Sequence, residues 1–227
     1  LPAGVTPANS YVFDVFRVAG GKTHTYCFHG TVEDDLKWNV EDAQPVPEYL
    51  DMFKSLPDKL KAGTVPDILE ATWRQTRAPQ LFGNEQMHLG PNFAEAGPRR
   101  FTRLHLLGVQ GAKAMRGSLN CVNFKYDFAN VFVQKVAEKE SQDTAFVALV
   151  EPFVGEPYIT GKRLLDVQVG NMNGTPKNLA SQAYKAVAVE VKTANGHTDI
   201  CFADGLPFVD RLIPEAKMHL SGEFACV

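Results

Sequence analysis

The sequence predicts an all-β fold, a large antiparallel β-sandwich of the supersandwich kind with long loops and at most one or two short helices. Runs rich in aromatic and β-branched residues lie near both ends of the chain, beside glycine-containing turn signals. The other apolar runs are short and interrupted by Gly, Pro, Asn and Asp, as is typical of sandwiches. No long stretch holds the apolar period of about 3.6 residues that a helix requires.

The first predicted hairpin joins Tyr11–Val18 to Lys22–His29 through Gly20 and Gly21. Side chains of a strand alternate between its two faces. One face of the second strand is therefore expected to hold His24, Tyr26 and Phe28. The opposite face is expected to hold Thr25, Cys27 and His29.

The second predicted hairpin joins Tyr184–Lys192 to Thr198–Ala203. Asn195 and Gly196 between them predict a type I′ turn, with positive φ at both positions. Further strands are predicted at Ile68–Gln75, Arg100–Leu107, Lys113–Gly117, Asn130–Val136, Thr144–Pro152, Lys162–Val169 and His219–Val227.

Only one helix candidate stands out, at Pro47–Leu56, where an ordered loop is the alternative. The predicted hydrophobic set is Val12, Phe16, Phe28, Leu106, Val133, Phe146, Ala148, Val150, Val187, Val189 and Val191.

The length of 227 residues fits one large domain over residues 1–227, and the absence of an initiator Met suggests an excised or processed part of a larger protein. A formal net charge of -3 does not favour nucleic acid as a partner. No apolar run approaches the ~20 residues of a membrane helix, so no membrane span is expected.

The four cysteines form no CxxC pair, which excludes a zinc ribbon or a thioredoxin motif. Cys27, Cys201 and Cys226 lie between apolar neighbours. Free thiols acting as small core residues are the favoured interpretation, and a disulfide is the alternative.

The segment from His24 to His29 is the sharpest cluster of reactive side chains. Tyr26 and the two histidines could donate and accept the proton of a β-elimination, in which a base removes the proton α to a uronate carboxyl group. The alternative is that Tyr26 packs, one histidine makes a buried hydrogen bond and the other is solvated. A zinc site built from His24 or His29 with Asp14 follows no established spacing, so no metal site is predicted.

Trp73, Arg74 and Arg77 combine an aromatic ring with positive charge, which suits an acidic sugar. These three are the candidate substrate-binding residues. The alternative interpretation places Trp73 in the core with the two arginines on the surface.

Several segments, in order, resemble the C-terminal β-sandwich region of heparinase II/III-like polysaccharide lyases. Tyr11–Gly30 resembles a strand and Gly-Gly turn that lead into an H-x-Y-x-x-H-G strand in that family. The later segments Arg103–Gly108 (RLHLLG), Thr144–Pro157 (TAFVALVEPFVGEP) and Gly222–Val227 (GEFACV) also resemble it.

The resemblance implies a parent protein in which an N-terminal α/α toroid precedes the sandwich and acidic polysaccharides are cleaved by β-elimination. It also implies a periplasmic or secreted location. The family's zinc is held by H-x-H-x-D and H-N-T segments, and this chain contains neither, so no cofactor is evident. We expect a domain that supports the toroid and lines the cleft without being catalytic alone. A stand-alone carbohydrate-binding or adhesive sandwich is the alternative.

Overall fold

The protein is all-β and is built from antiparallel sheets. The structure, a computed structural model, describes residues 10–32, 35–41, 44–45, 61–74, 100–120, 127–138, 141–170, 186–206 and 208–227. Its strands in chain order are β1 (Val12–Ala19), β2 (Thr23–Val32), β3 (Asp35–Trp38), β4 (Gln44–Pro45), β5 (Lys61–Thr64), β6 (Ile68–Arg74), β7 (Arg100–Leu107), β8 (Lys113–Asn120), β9 (Asp127–Val136), β10 (Asp143–Val154), β11 (Ile159–Leu165), β12 (Gln168–Val169), β13 (Ala186–Thr193), β14 (Thr198–Asp204), β15 (Arg211–Ile213), β16 (Met218–Leu220) and β17 (Phe224–Cys226). Within these residues the one helical element is a 3-10 turn at Pro214–Ala216. The helix candidate Pro47–Leu56 lies outside them.

The strands form four sheets. Sheet A has the order β1-β10-β7-β6-β3, and sheet B has the order β2-β9-β8-β5-β4. Sheet C has the order β11-β13-β14-β17, and sheet D has the order β12-β15-β16. The predicted sandwich is therefore confirmed, and it contains more than one pair of packed sheets.

Among the described residues, three hydrophobic cores separate these sheets into four layers in the order B, A, C, D. Leu106 and Phe146 point from sheet A into the core shared with sheet B, whereas Leu107 and Val147 point into the core shared with sheet C. Sheet C likewise uses alternate residues for the core it shares with sheet D. Because sheet A is covered on both faces, consecutive residues are mostly apolar in the buried half of β7 (LHLL) and in the middle of β10 (AFVALV).

The predicted hairpin at Gly20-Gly21 is wrong. β1 pairs with β10 in sheet A, and β2 pairs with β9 in sheet B, so the two strands lie in different layers. Gly20 and Gly21 have φ values of 75° and 84°, a left-handed conformation that glycine adopts without steric cost. The pair of glycines therefore carries the chain from one layer to the next.

The hairpin of β13 and β14 is confirmed, but its turn is not type I′. Gly196 has a φ of 86°, whereas Asn195 is not among the residues with positive φ. The N–H of Gly196 donates to the carbonyl of Thr193, and the N–H of Thr193 donates to that of His197. This is the three-residue loop in which a type I turn precedes a bulged glycine.

The remaining predicted strands are confirmed with shifted ends. The predicted run Lys162–Val169 is divided into β11 and β12, and the run His219–Val227 is divided into β16 and β17. Most of the predicted hydrophobic set is buried, but Val12 and Phe16 are 59% and 48% exposed. Both residues lie on β1, an edge strand of sheet A, where sheet B does not fully cover them.

Candidate functional site

The histidine and tyrosine side chains of β2 do not converge. His24 and Tyr26 are buried, and His29 is exposed on the opposite face of the strand. This alternation agrees with the faces predicted from the sequence. A regular strand thus separates the candidate acid–base groups into two environments, and no single substrate contacts all three from one side.

His24 is held by neighbours on both ring nitrogens. Its Nδ1 lies 2.9 Å from Oγ1 of Thr144, and its Nε2 contacts the carbonyl oxygen of Gly20. Because the carbonyl oxygen can only accept, Nε2 donates the hydrogen bond in its contact with Gly20. The ring therefore fastens the Gly20-Gly21 connection to sheet A.

Tyr26 packs in the core between sheets A and B. Its ring centroid lies 5.6 Å from that of Phe146 and 6.5 Å from that of Phe16. Burial, followed by the nearby carboxylate of Asp14, raises the pKa of Tyr26 well above its ordinary value. The phenol is therefore poorly suited to act as a base near neutral pH. His29, in contrast, is solvated, and its Nδ1 lies 2.7 Å from the carbonyl oxygen of Gly30.

Trp73 lies in the core and is only 1% exposed. Its indole Nε1 donates to the carbonyl oxygen of Ala129 over 2.8 Å, and its ring packs 5.3 Å from that of Phe28. The ring thus has no exposed face on which a sugar could stack. Arg74 is half-buried and forms an ion pair with Asp35 at 3.2 Å. Arg77, the third candidate substrate-binding residue, lies outside the described residues.

Trp73→Phe is expected to lower the free energy of unfolding by about 1–3 kcal/mol. The smaller ring keeps much of the packing but leaves the carbonyl of Ala129 without its indole donor. Denaturant unfolding monitored by circular dichroism measures the loss. An unchanged midpoint would contradict the buried hydrogen bond, and unchanged glycan binding by the variant would agree with a purely structural tryptophan.

A buried charge network lies where sheets A and C meet. His105 of β7 is fully buried between two carboxylates: its Nδ1 lies 3.2 Å from Oε1 of Glu70, and its Nε2 lies 3.0 Å from Oε1 of Glu151. Lys162 of β11 contacts the same oxygen of Glu70, and Arg103 lies 3.9 Å from Glu151. Each ring nitrogen of His105 thus lies within hydrogen-bond distance of one carboxylate, so both sides of the buried imidazole have a polar partner.

Two backbone N–H groups also donate hydrogen bonds to Glu151. Its Oε2 accepts from the N–H groups of Tyr158 and Ile159, at 3.0 and 2.8 Å. Burial raises the pKa of Glu151, but the hydrogen bonds from His105 and Ile159 outweigh that effect, and the pKa lies below its ordinary value. The carboxylate therefore joins β10, β7 and the start of β11. These contacts fix sheet A against sheet C. Of the five ionisable residues in this network, Glu70, Lys162 and Arg103 are partly accessible to solvent.

Sequence reasoning overlooked this network. His105 and Glu151 were visible only as polar residues inside apolar runs, LHLL and ALVEP. That pattern is the available signal, because a polar residue at a buried strand position requires a partner. The identity of the partner depends on the register of β6, β7 and β10, which the sequence does not reveal.

The Glu70 side chain links stability to pH. The hydrogen bond from His105 lowers the pKa of Glu70 from 4.5 to about 2, although partial burial opposes the shift. Because the folded pKa is the lower one, the stabilisation is present above about 4.5 and is lost as the pH falls toward about 2. We expect roughly 1 kcal/mol, since solvent screens a side chain that is about a third exposed.

Glu70→Gln tests this linkage. The variant is expected to be less stable than the parent at about pH 6 and closer to it at about pH 3, by urea unfolding. Glu138→Gln, at an exposed position, is the matched control and should show no such convergence. If the difference in the free energy of unfolding between Glu70→Gln and the parent is the same at both pH values, the linkage is contradicted.

An open pocket of about 450 Å³ lies at the edge where β14 and β17 meet the start of β1. Aromatic rings form its walls, and one carboxylate and two thiols face into it. Its lining includes Tyr11, Phe13, Tyr158, Asp199, Cys201, Phe224 and Cys226. The Tyr11 hydroxyl donates to Oδ2 of Asp199 over 2.6 Å and lies 3.4 Å from Sγ of Cys201. Aromatic walls with a few converging polar groups are typical of small-molecule sites.

The three described cysteines are free thiols. Cys201 is buried, as expected of a small core residue. Cys27 and Cys226 are free thiols as predicted, but both are exposed, so their predicted place in the core is wrong. Among the described side chains, no group of three His, Cys, Asp or Glu residues is placed to hold a metal ion. The same part of the chain contains no helix long and apolar enough to cross a membrane.

Comparison with known proteins adds no assignment. No family model matches the chain, and no curated protein matches it.

Proposed function

We propose that this chain is the β-sandwich domain of an acidic-polysaccharide lyase of the heparinase II/III-like kind. In this role it supports a toroidal catalytic domain and lines part of the substrate cleft, without carrying out β-elimination alone. The non-catalytic role is supported by the division of β2 into two faces. The buried His24 and Tyr26 are separated from the solvated His29 by the strand itself.

β-elimination needs a base beside the proton α to the carboxyl group and an acid beside the leaving oxygen, both within hydrogen-bond reach of one substrate. Both nitrogens of His24 already contact Thr144 and Gly20, and the hydroxyl of Tyr26 lies beside the carboxylate of Asp14 with a raised pKa. These groups serve packing and layer connection. Catalysis is accordingly assigned to the toroid of the parent protein.

A lyase assay tests the proposal. The chain alone, incubated with heparan-, alginate- and hyaluronan-type polysaccharides, is expected to yield no unsaturated uronate products. The full-length parent, expressed from the complete gene, is expected to carry a toroid with an H-N-T segment and to yield those products. Turnover by this chain alone that disappears in Tyr26→Phe would overturn the non-catalytic role. A parent gene without a toroid would overturn the lyase assignment.

The pocket favours a second candidate, a stand-alone carbohydrate-binding sandwich. Phe224 is 67% exposed at the pocket, and Tyr158 and Asp199 supply a second ring and a carboxylate. Aromatic faces that stack on sugars, together with acceptors for their hydroxyl groups, are what a glycan site needs.

Glycan arrays followed by calorimetry test that candidate. If the pocket binds a glycan, Phe224→Ala should weaken the affinity at least about tenfold, which corresponds to about 1.4 kcal/mol. Phe208→Ala is the matched control, because Phe208 is 98% exposed and does not line the pocket. The absence of binding to every acidic and neutral glycan would remove this candidate.

A further inference from the structure

Two thiols face each other at the pocket. Cys201 of β14 and Cys226 of β17 are direct partners in the antiparallel ladder, with their sulfur atoms 3.6 Å apart. The adjacent pair, Ile200 and Val227, exchanges both backbone hydrogen bonds. The cysteines therefore occupy a non-hydrogen-bonded position, where Cα atoms lie about 4.5 Å apart. That separation is inside the range of about 4.4–6.8 Å that disulfides span.

We propose that Cys201 and Cys226 are a disulfide-forming pair, oxidised by small-molecule disulfides such as oxidised glutathione. The sulfur atoms must approach to about 2.05 Å, which requires a shift of roughly 1.5 Å. Rotation of the exposed Cys226 side chain can supply much of this movement without separating the strands. Cys27 offers no comparable geometry, because its partner across the ladder is Phe132.

A disulfide between Cys201 and Cys226 would stabilise sheet D, the fourth layer of the fold. Between the two cysteines the chain passes through β15 and β16, which are two of the three strands of sheet D. β17 itself is a three-residue edge strand paired only with β14 in the described structure. A disulfide would thus close the loop that carries sheet D and would hold the short edge strand in place.

The exchange proceeds in two balanced steps. The thiolate of the exposed Cys226 attacks one sulfur of oxidised glutathione, which forms a mixed disulfide and releases one glutathione thiolate. The sulfur of Cys201 then attacks that of Cys226, and the second glutathione thiolate leaves. Two protein thiols are oxidised, one glutathione disulfide is reduced to two thiols, and the two cysteine protons pass to solvent or to the released thiolates.

The hydroxyl of Tyr11 and the carboxylate of Asp199 offer the buried thiol a route for its proton. Because the Tyr11 hydroxyl donates to Asp199, its oxygen is left to accept from the thiol of Cys201. Burial raises the pKa of Cys201 to about 12, so this thiol ionises poorly unless a neighbour accepts its proton. Tyr11 is therefore a positioning residue for the second step.

Peptide mapping of the full chain in glutathione redox buffers tests the pair. After free thiols are blocked, the expected product is a cross-linked peptide that joins Cys201 to Cys226, lighter than the two thiol peptides by two hydrogen atoms. Cys27 should instead carry glutathione. The oxidised form is expected to show a folding equilibrium constant raised roughly 30-fold or more, the lower end of typical disulfide effects.

Two variants separate the proposal from a general effect of oxidation. In Cys226→Ser, a change at an exposed position, the cross-link and the gain in stability should both be absent. In Tyr11→Phe, the mixed disulfide at Cys226 should accumulate, because ring closure is slower. Recovery of Cys201 as a free thiol under conditions that glutathionylate Cys27, or a cross-link from Cys226 to Cys121, would overturn the pairing.

Discussion

Asp204→Leu is expected to lower the free energy of unfolding by about 3–5 kcal/mol, because it leaves the guanidinium of Arg211 buried without a counter-charge. Arg211 is only 2% exposed, and the Asp204 side chain is fully buried. Nε of Arg211 donates to Oδ2 over 2.7 Å, and a second nitrogen donates to Oδ1 over 3.3 Å. The same carboxylate accepts from the N–H of Leu206, so the substitution also leaves that backbone N–H without its acceptor.

This ion pair joins two layers at their margin. Asp204 ends β14 of sheet C, and Arg211 begins β15 of sheet D, so the pair fixes the connection between the two sheets. Urea unfolding followed by circular dichroism measures the loss. If Asp204→Leu unfolds at the same urea concentration as the parent, the pair is not buried as described.

The double variant Asp204→Leu with Arg211→Met is the informative control. Replacing both charges with apolar groups removes the desolvation cost as well as the attraction, so most of the lost stability should return. Glu190→Ala, which removes an ion pair with the half-exposed Arg163, should shift the midpoint little. A double variant as unstable as Asp204→Leu would mean that the loss does not come from an unpaired buried charge.

Local patterns predicted the individual strands because alternation and turn residues are properties of a few neighbouring positions. The run from Thr144 to Pro152 and the hairpin at Gly196 were recognised in this way. The division of β2 into a buried and a solvated face also followed from alternation alone. Which strands would pair was a different question, because pairing is decided by contacts far apart in sequence.

The Gly20-Gly21 segment illustrates that limit. Two glycines between strand-like runs are typical of a hairpin, yet β1 pairs with β10 in sheet A and β2 pairs with β9 in sheet B. The network of His105 with Glu70 and Glu151 shows the same dependence. Each residue is unremarkable alone, and only the register of three strands brings them together. The opposed cysteines likewise depend on how β14 and β17 align.

Phe146→Ala is the second large effect that we expect, about 3–5 kcal/mol in the free energy of unfolding. Phe146 is fully buried in β10, the strand next to the edge of sheet A, and points into the core shared with sheet B. Its ring lies 5.6 Å from that of Tyr26, and the ammonium group of Lys135 lies 5.6 Å from its centroid. Truncation removes these contacts and leaves a cavity between two layers, which strands on both sides cannot readily fill.

The comparison with an exposed phenylalanine makes the test specific. Phe208→Ala removes the same atoms from a side chain that is 98% exposed, so its urea midpoint should remain close to that of the parent. If Phe146→Ala shifts the midpoint no more than Phe208→Ala does, β10 does not face sheet B as described. A large shift for Phe146→Ala alone would show that stability depends on the packing of sheet A against its neighbour, the contact that also holds His24 and Tyr26 in the interior.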